Sequence, residues 1–299
     1  MVVSEEIYGW CDESRYNQGK YRAISIFSHQ KEDTDYLISG IGEIVEKSGI
    51  TEMKWKHVKN DKKSKVVKDS LDFLIRTIKQ RKKIRVDVLI WDVEDSRHKV
   101  MGRDDIMNLQ VMYYHLFENV IEKRWRGTKK WRIYPDRNSS IKWTDVRKIL
   151  SRRYNIEELT EKDSVENVLI QISDIFSGMG AYTWNSIEKY PMWIEKHFGQ
   201  SKLFEEEPPA TSLTNKDRYR WEVINTFYSK IKKLDLEGIK GNKAIEINTS
   251  RKMGFKTRNP EFPINFWFYI PQTDLDKAPI KNDPIGPRRK NPKGIWWYS

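Results

Sequence analysis

The stretch Ile7-Tyr8-Gly9-Trp10-Cys11-Asp12-Glu13-Ser14 runs from apolar residues straight into two adjacent carboxylates. The apolar run predicts a short buried strand that delivers Asp12 and Glu13 to the end of a sheet. A carboxylate in that position is costly to bury unless something positive pairs with it, and a metal ion is one candidate. An Asp-Glu pair considered alone is more often a surface loop. The rest of the chain has to supply the co-ligands.

Working outward, Tyr21 to Phe27 predicts a second strand, with the turn-prone Asn17 to Gly19 between the two. Residues 35–47 have helical spacing. Glu52-Met53-Lys54-Trp55 reads as a short extended piece, and residues 61–83 as an amphipathic helix with a basic outer face. Ile84 to Trp91 is the clearest strand and a central one, and a long helix over residues 104–124 follows it. Trp131 to Pro135 predicts another strand, ending at Asp136. A helix over residues 143–154 and an edge strand over 156–160 come next. Residues 164–187 then predict a helix whose apolar stripe runs through Val165, Val168, Leu169, Ile172, Ile175, Phe176 and Met179. Strands alternating with long helices indicate an α/β fold, a sheet with helices packed on it.

Periodicity stops near Glu205-Glu206-Glu207-Pro208-Pro209, which places a boundary there. The division is a main domain over residues 1–200 and a basic α+β extension over 201–299. The extension starts with a helix near residues 215–233 and continues in hairpin-like pieces such as Ile264 to Ile270.

Of 299 residues, 12 are tryptophan and one, Cys11, is cysteine. A folded core is expected, and a disulfide framework or a thiolate zinc site is not. No apolar run approaches the roughly 20 residues of a membrane span. The first residues lack the basic and apolar regions of a signal peptide, so a soluble, cytoplasmic protein is expected. The five histidines (His29, His57, His98, His115 and His197) are scattered, which disfavours nucleophilic catalysis by a serine or cysteine. The net charge of +12 is uneven: Lys59 to Lys83 carries ten basic residues against three acidic ones. Such a balance suits a polyanion. Lys59, Lys62 and Lys63, with Arg288, Arg289 and Lys290 near the C-terminus, are the expected contacts to a nucleic-acid backbone. Trp296, Trp297 and Tyr298 suit either stacking on unpaired bases or insertion into a protein partner.

Three acids occupy matching positions. Asp12 and Asp136 each end a strand, and Asp174 lies on the last helix of the main domain beside its apolar stripe. The small residues Ser173, Ser177, Gly178 and Ala181 surround Asp174 and would let that helix approach the sheet closely. Carboxylates without histidine or cysteine ligands suit Mg²⁺ or Mn²⁺. Two such ions about 4 Å apart can activate a water and stabilise the leaving oxygen of a phosphodiester.

The segments IYGWCDES, TEMKWKHV, VDVLIWD, RIYPDRN and VLIQISDIFSGMGAY resemble the family called domain of unknown function 3800, over residues 5–190 or so. The resemblance implies a ribonuclease H-like fold, with Asp12, Asp136 and Asp174 as metal ligands and Glu13 as a helper. Glu52, in a segment similar to the family's E-x-K, is the first choice for a fourth ligand, with Lys54 orienting a phosphate or a water. Asp92 is its rival. Arg15 stands where the family usually has glycine. The expected activity is metal-dependent cleavage of RNA, DNA or a hybrid; the alternative is a non-catalytic nucleic-acid-binding or scaffold subunit of a larger complex, with phage defence as a conjectured setting.

Overall fold

A computed structural model describes residues 5–14, 19–81, 83–127, 129–138, 140–198, 213–236 and 238–276, with the backbone of Arg289–Lys290 and Trp296–Trp297. In chain order the elements begin β1 (Glu6–Glu13), β2 (Tyr21–Gln30), α1 (Thr34–Lys47), α2 (Asp61–Gln80) and β3 (Ile84–Asp92). They continue through α3 (Asp105–Asn119), β4 (Lys130–Pro135), α4 (Trp143–Leu150), β5 (Asn155–Leu159), α5 (Val168–Asn185) and α6 (Lys189–Phe198). The remainder comprises α7 (Asn215–Lys232), a two-residue pair β6 (Asp235–Leu236) and β7 (Ile239–Lys240), α8 (Gly241–Ala244), the hairpin β8 (Ile245–Asn248) and β9 (Met253–Thr257), and β10 (Ile264–Phe268).

The fold is α/β. One mixed six-stranded sheet runs in the order β10-β3-β2-β1-β4-β5 and is flanked by helices. β1, β2 and β3 are antiparallel neighbours, whereas β4 is parallel to β1 and to β5. Both sheet faces are covered, and strand alternation sorts the side chains between them. Trp10, Ala23, Phe27, Val86, Val88 and Ile90 face a core shared with α1, α2, α5 and α7. Cys11, Ile24, Ile26, Leu89, Trp91 and Ile133 face a second core built with α3 and α4.

Sequence reading and structure differ in two places. Val165 does not join the apolar stripe: it is 58% exposed in a turn before α5, which starts only at Val168. Residues 264–268 are not hairpin-like. They form β10, parallel to β3 at the sheet edge, with Ile264 and Phe266 in the core and Asn265 Nδ2 donating to the buried Asp87 at 3.0 Å. The segment after residue 213 thus adds a strand to the same sheet. Among the described residues, no helix is long and apolar enough to cross a membrane.

Helix α5 is locked to the sheet by small polar residues. Ser173 Oγ donates to the Trp10 carbonyl and Ser25 Oγ to the Ser173 carbonyl, each at 2.7 Å. Gly180 faces Val88, and Gly178 faces Trp55, whose ring would lie only 2.2 Å from an added Cβ. Alanine at a helical glycine ordinarily stabilises by about 1 kcal/mol. At Gly178 the sign should reverse. Overpacking against Trp55 should make Gly178→Ala less stable by about 1–3 kcal/mol, seen as a fall of several degrees in Tm on thermal denaturation.

Candidate functional site

The register of two parallel strands creates the centre of the site. Trp10 pairs with Tyr134 and Cys11 with Pro135, and Asp136 N–H donates to the Cys11 carbonyl at 2.8 Å. Asp12 and Asp136 are therefore neighbours at one sheet end. Both fall on the face that carries Trp10 and Tyr134, the face that α5 covers. Glu13, one residue on, points the other way: its Oε2 accepts from Tyr113 Oη of α3 at 2.6 Å, and its Oε1 from Asn138 Nδ2 at 2.8 Å.

Asp174 comes to the same place because α5 is pinned at Ser173, and its Oδ2 accepts a short hydrogen bond from Trp55 N–H. Gln171 sets the neighbouring segments. Its Oε1 accepts from Met53 N–H at 2.9 Å, and its Nε2 donates to the Ser164 carbonyl at 2.7 Å. That holds Glu52 and Lys54 over the acids. Lys54 Nζ lies 3.0 Å from Glu52 Oε1 and 3.7 Å from Asp136 Oδ2. Glu52 Oε1 also accepts from Ser164 Oγ at 2.9 Å, and Asp136 Oδ1 accepts from Ser164 N–H at 3.0 Å.

The electrostatics follow from burial. Asp12 is 4% exposed; its Oδ1 accepts from Glu13 N–H, while its Oδ2 is buried without a hydrogen-bond partner. Burial first, then the charges of Asp174, Glu13 and Asp136, push its carboxyl well above the ordinary range, with Lys54 opposing. Burial also pushes Asp174 up to about 6, against the Trp55 N–H and Lys54, which pull the other way. Glu13 is raised by burial too, although Tyr113 and Asn138 partly offset it. For Lys54, burial works against the charge, yet Glu52, Asp136 and Asp12 hold its pKa above the usual lysine value.

These acids line one end of a cavity of about 670 Å³. The rest of the lining includes the basic Lys56, Arg137, Lys189, Lys216 and Arg220, the acid Asp217, and the aromatic Tyr21, Trp55 and Tyr182. Sequence reasoning missed the residues from α6 and α7. One signal was present, since Arg220 falls on the buried helical row of Ile224, Phe227 and Ile231, where a basic residue is out of place.

The structure brings Asp12, Asp136 and Asp174 together, with Glu13 and Lys54 alongside and Glu52 reached through Lys54. Asp92 stays apart, paired with Lys20 at 3.2 Å. Lys59 and Lys62 are exposed and Lys63 is half-buried where α2 begins; none of the three lines the cavity. Arg289–Lys290 pairs with Trp296–Trp297 as a two-stranded ribbon, while Arg15, Arg288 and Tyr298 lie outside the described residues.

The acids offer oxygen donors, the type that hard divalent cations take, and Asp12 Oδ2 is a buried oxygen without a hydrogen-bond partner. Among the described residues, however, no three or more acidic, histidine or cysteine side chains stand already grouped as ligands.

A consequence of this crowding is testable. An acid with a raised folded-state pKa contributes stability that is complete below its unfolded value and lost as pH rises through the folded one. For Asp174 that window runs from about 3.8 to about 6. In EDTA, Asp174→Asn should therefore unfold several degrees above wild type at pH 8 and show no such gain at pH 4. Equal Tm values at pH 8 would mean that neither burial nor the neighbouring acids disfavour the Asp174 charge.

No family model matches the chain. It is 37% identical over 297 residues to the uncharacterized protein ORF2' of Methanothermobacter thermautotrophicus, which covers 94% of this chain and 100% of the relative. It is also 37% identical over 290 residues to the uncharacterized protein ORF2 of the same organism, covering 92% and 98%. The chain belongs to the family of these ORF2 proteins.

Proposed function

We propose that the chain is a metal-dependent nuclease of ribonuclease H-like type, related to the domain of unknown function 3800 family, that hydrolyses phosphodiester bonds of nucleic acid. The observation that carries this reading is that Asp12, Asp136 and Asp174 line one cavity together with several basic side chains, with Asp12 Oδ2 buried and unpartnered. A mixed sheet flanked by helices supports it as a scaffold. So do the excess positive charge of the chain and the sequence resemblance.

Asp12, Asp136, Asp174 and Glu52 would hold Mg²⁺ or Mn²⁺. When bound, such ions supply charge neutralisation for the phosphodiester and a more acidic water. The chain's own groups do the rest. Lys54, whose charge its acidic neighbours favour, would supply a positive donor for a non-bridging phosphate oxygen. Glu13, held by Tyr113 and Asn138, would act as a helper at the cavity wall. In the reaction the water oxygen bonds to phosphorus, the bond to the leaving oxygen breaks, and that oxygen takes up a proton. The products are a phosphomonoester and an alcohol.

One observation favours a second reading, nucleic-acid binding without cleavage. Lys54 already neutralises Glu52 and Asp136, and the described acids are not grouped as ligands. The two readings diverge in one assay. With Mg²⁺ or Mn²⁺ present, the nuclease reading expects cleavage of labelled RNA or DNA oligonucleotides, reduced at least about a hundredfold in Asp12→Asn and Asp136→Asn with the fold intact, on the scale of losing a transition-state-stabilising group. Salt-sensitive binding with no cleavage by wild type, or cleavage untouched in both variants, would overturn it.

A further inference from the structure

The acidic end accounts for only part of the cavity. From α7 the cavity wall also receives Arg220, which is 7% exposed. Its Nη2 donates to the Trp55 carbonyl at 3.0 Å, and its guanidinium lies 5.1 Å from the Trp55 ring centre and 5.2 Å from that of Tyr182. Its Nε is buried without a partner. Asp217, one turn earlier, is already engaged by Tyr182 Oη at 2.7 Å, Lys189 Nζ at 3.0 Å and Thr214 Oγ1 at 2.8 Å. Arg220 therefore has donors to spare and no carboxylate of its own among the described residues.

The cations nearby are crowded. The charge of Arg220, and then burial, hold the Lys216 ammonium below the usual lysine range, although Asp217 opposes. Burial opposes the Arg220 charge while Asp217 and Asp174 favour it, and a buried guanidinium with an unused donor gains further from an anion that accepts from it. Phosphate suits these donors, because a planar guanidinium binds its oxygens in parallel and lysines add point charge.

Trp55 links this end to the acids. Its N–H donates to Asp174 and its carbonyl accepts from Arg220, so a single residue separates the two ends. One residue of chain and two hydrogen bonds span no more than about 9 Å. An anion at Arg220 is thus held close to whatever lies over Asp174.

We propose that Arg220, Lys216 and Lys189 form a phosphate subsite that holds the phosphate next to the scissile one on a single nucleic-acid strand. The proposal rests on the nuclease reading for its substrate class, but the anion site itself is separable from cleavage. A diester lacking the adjacent phosphate gains nothing from the subsite.

The test uses the full chain in EDTA, with inorganic pyrophosphate titrated by calorimetry. Wild type and Asp12→Asn should both bind. Arg220→Gln should bind at least about tenfold more weakly, Arg220→Lys should recover part of the loss, and Lys216→Ala should lose about threefold. Lys216 is exposed, so its variant decides the matter if Arg220→Gln fails to fold. No binding by wild type, or unchanged affinity in Lys216→Ala and in folded Arg220→Gln, would overturn the subsite. Binding lost in these variants while wild type cleaves nothing with Mg²⁺ or Mn²⁺ would sustain the anion site and remove the nuclease.

Discussion

The hydrogen bond from Asp136 N–H to the Cys11 carbonyl is the constraint on which the site depends. It is one more rung of the parallel ladder between β1 and β4, and it decides which acids meet. A register shifted by one residue would turn Asp136 to the face of α3 and α4, away from Asp12. The same alternation separates the adjacent Asp12 and Glu13. The first faces α5 and Asp174, and the second is bonded to Tyr113 and Asn138.

Bringing these carboxylates together works against stability, since burial and mutual repulsion both favour their protonated forms. The fold tolerates this because neighbours over-determine the positions. Ser173 and Ser25 pin α5, Gln171 fixes the Met53 segment, and Lys54 supplies positive charge. Clustered acids held in place by a rigid frame are the form that a functional site takes more often than a structural one.

Trp55 gives the site its second dimension. Packed on Gly178 and bonded at its N–H and its carbonyl, it joins Asp174 of α5 to a guanidinium carried by α7. The segment after residue 213 is therefore part of the cavity wall as well as of the sheet, through Arg220 and β10. The relatives in Methanothermobacter thermautotrophicus match over more than nine-tenths of this chain, so the family shares both parts.

The α/β class and most element positions were legible in the sequence, because apolar periodicity is a local property that follows directly from side-chain burial. Asp12 and Asp136 stood out as carboxylates at the ends of apolar runs, and Asp174 as an acid beside the apolar stripe of a helix, among small residues. Val165 was misread because periodicity cannot show where a helix is first capped. β10 was misread because parallel pairing with a strand some 180 residues earlier has no local signature. Arg220 was visible only as a basic residue on an apolar row. That it bonds the carbonyl of Trp55, whose N–H serves Asp174, depends on how α7 packs against the α5 face of the sheet, and long-range packing alone decides that.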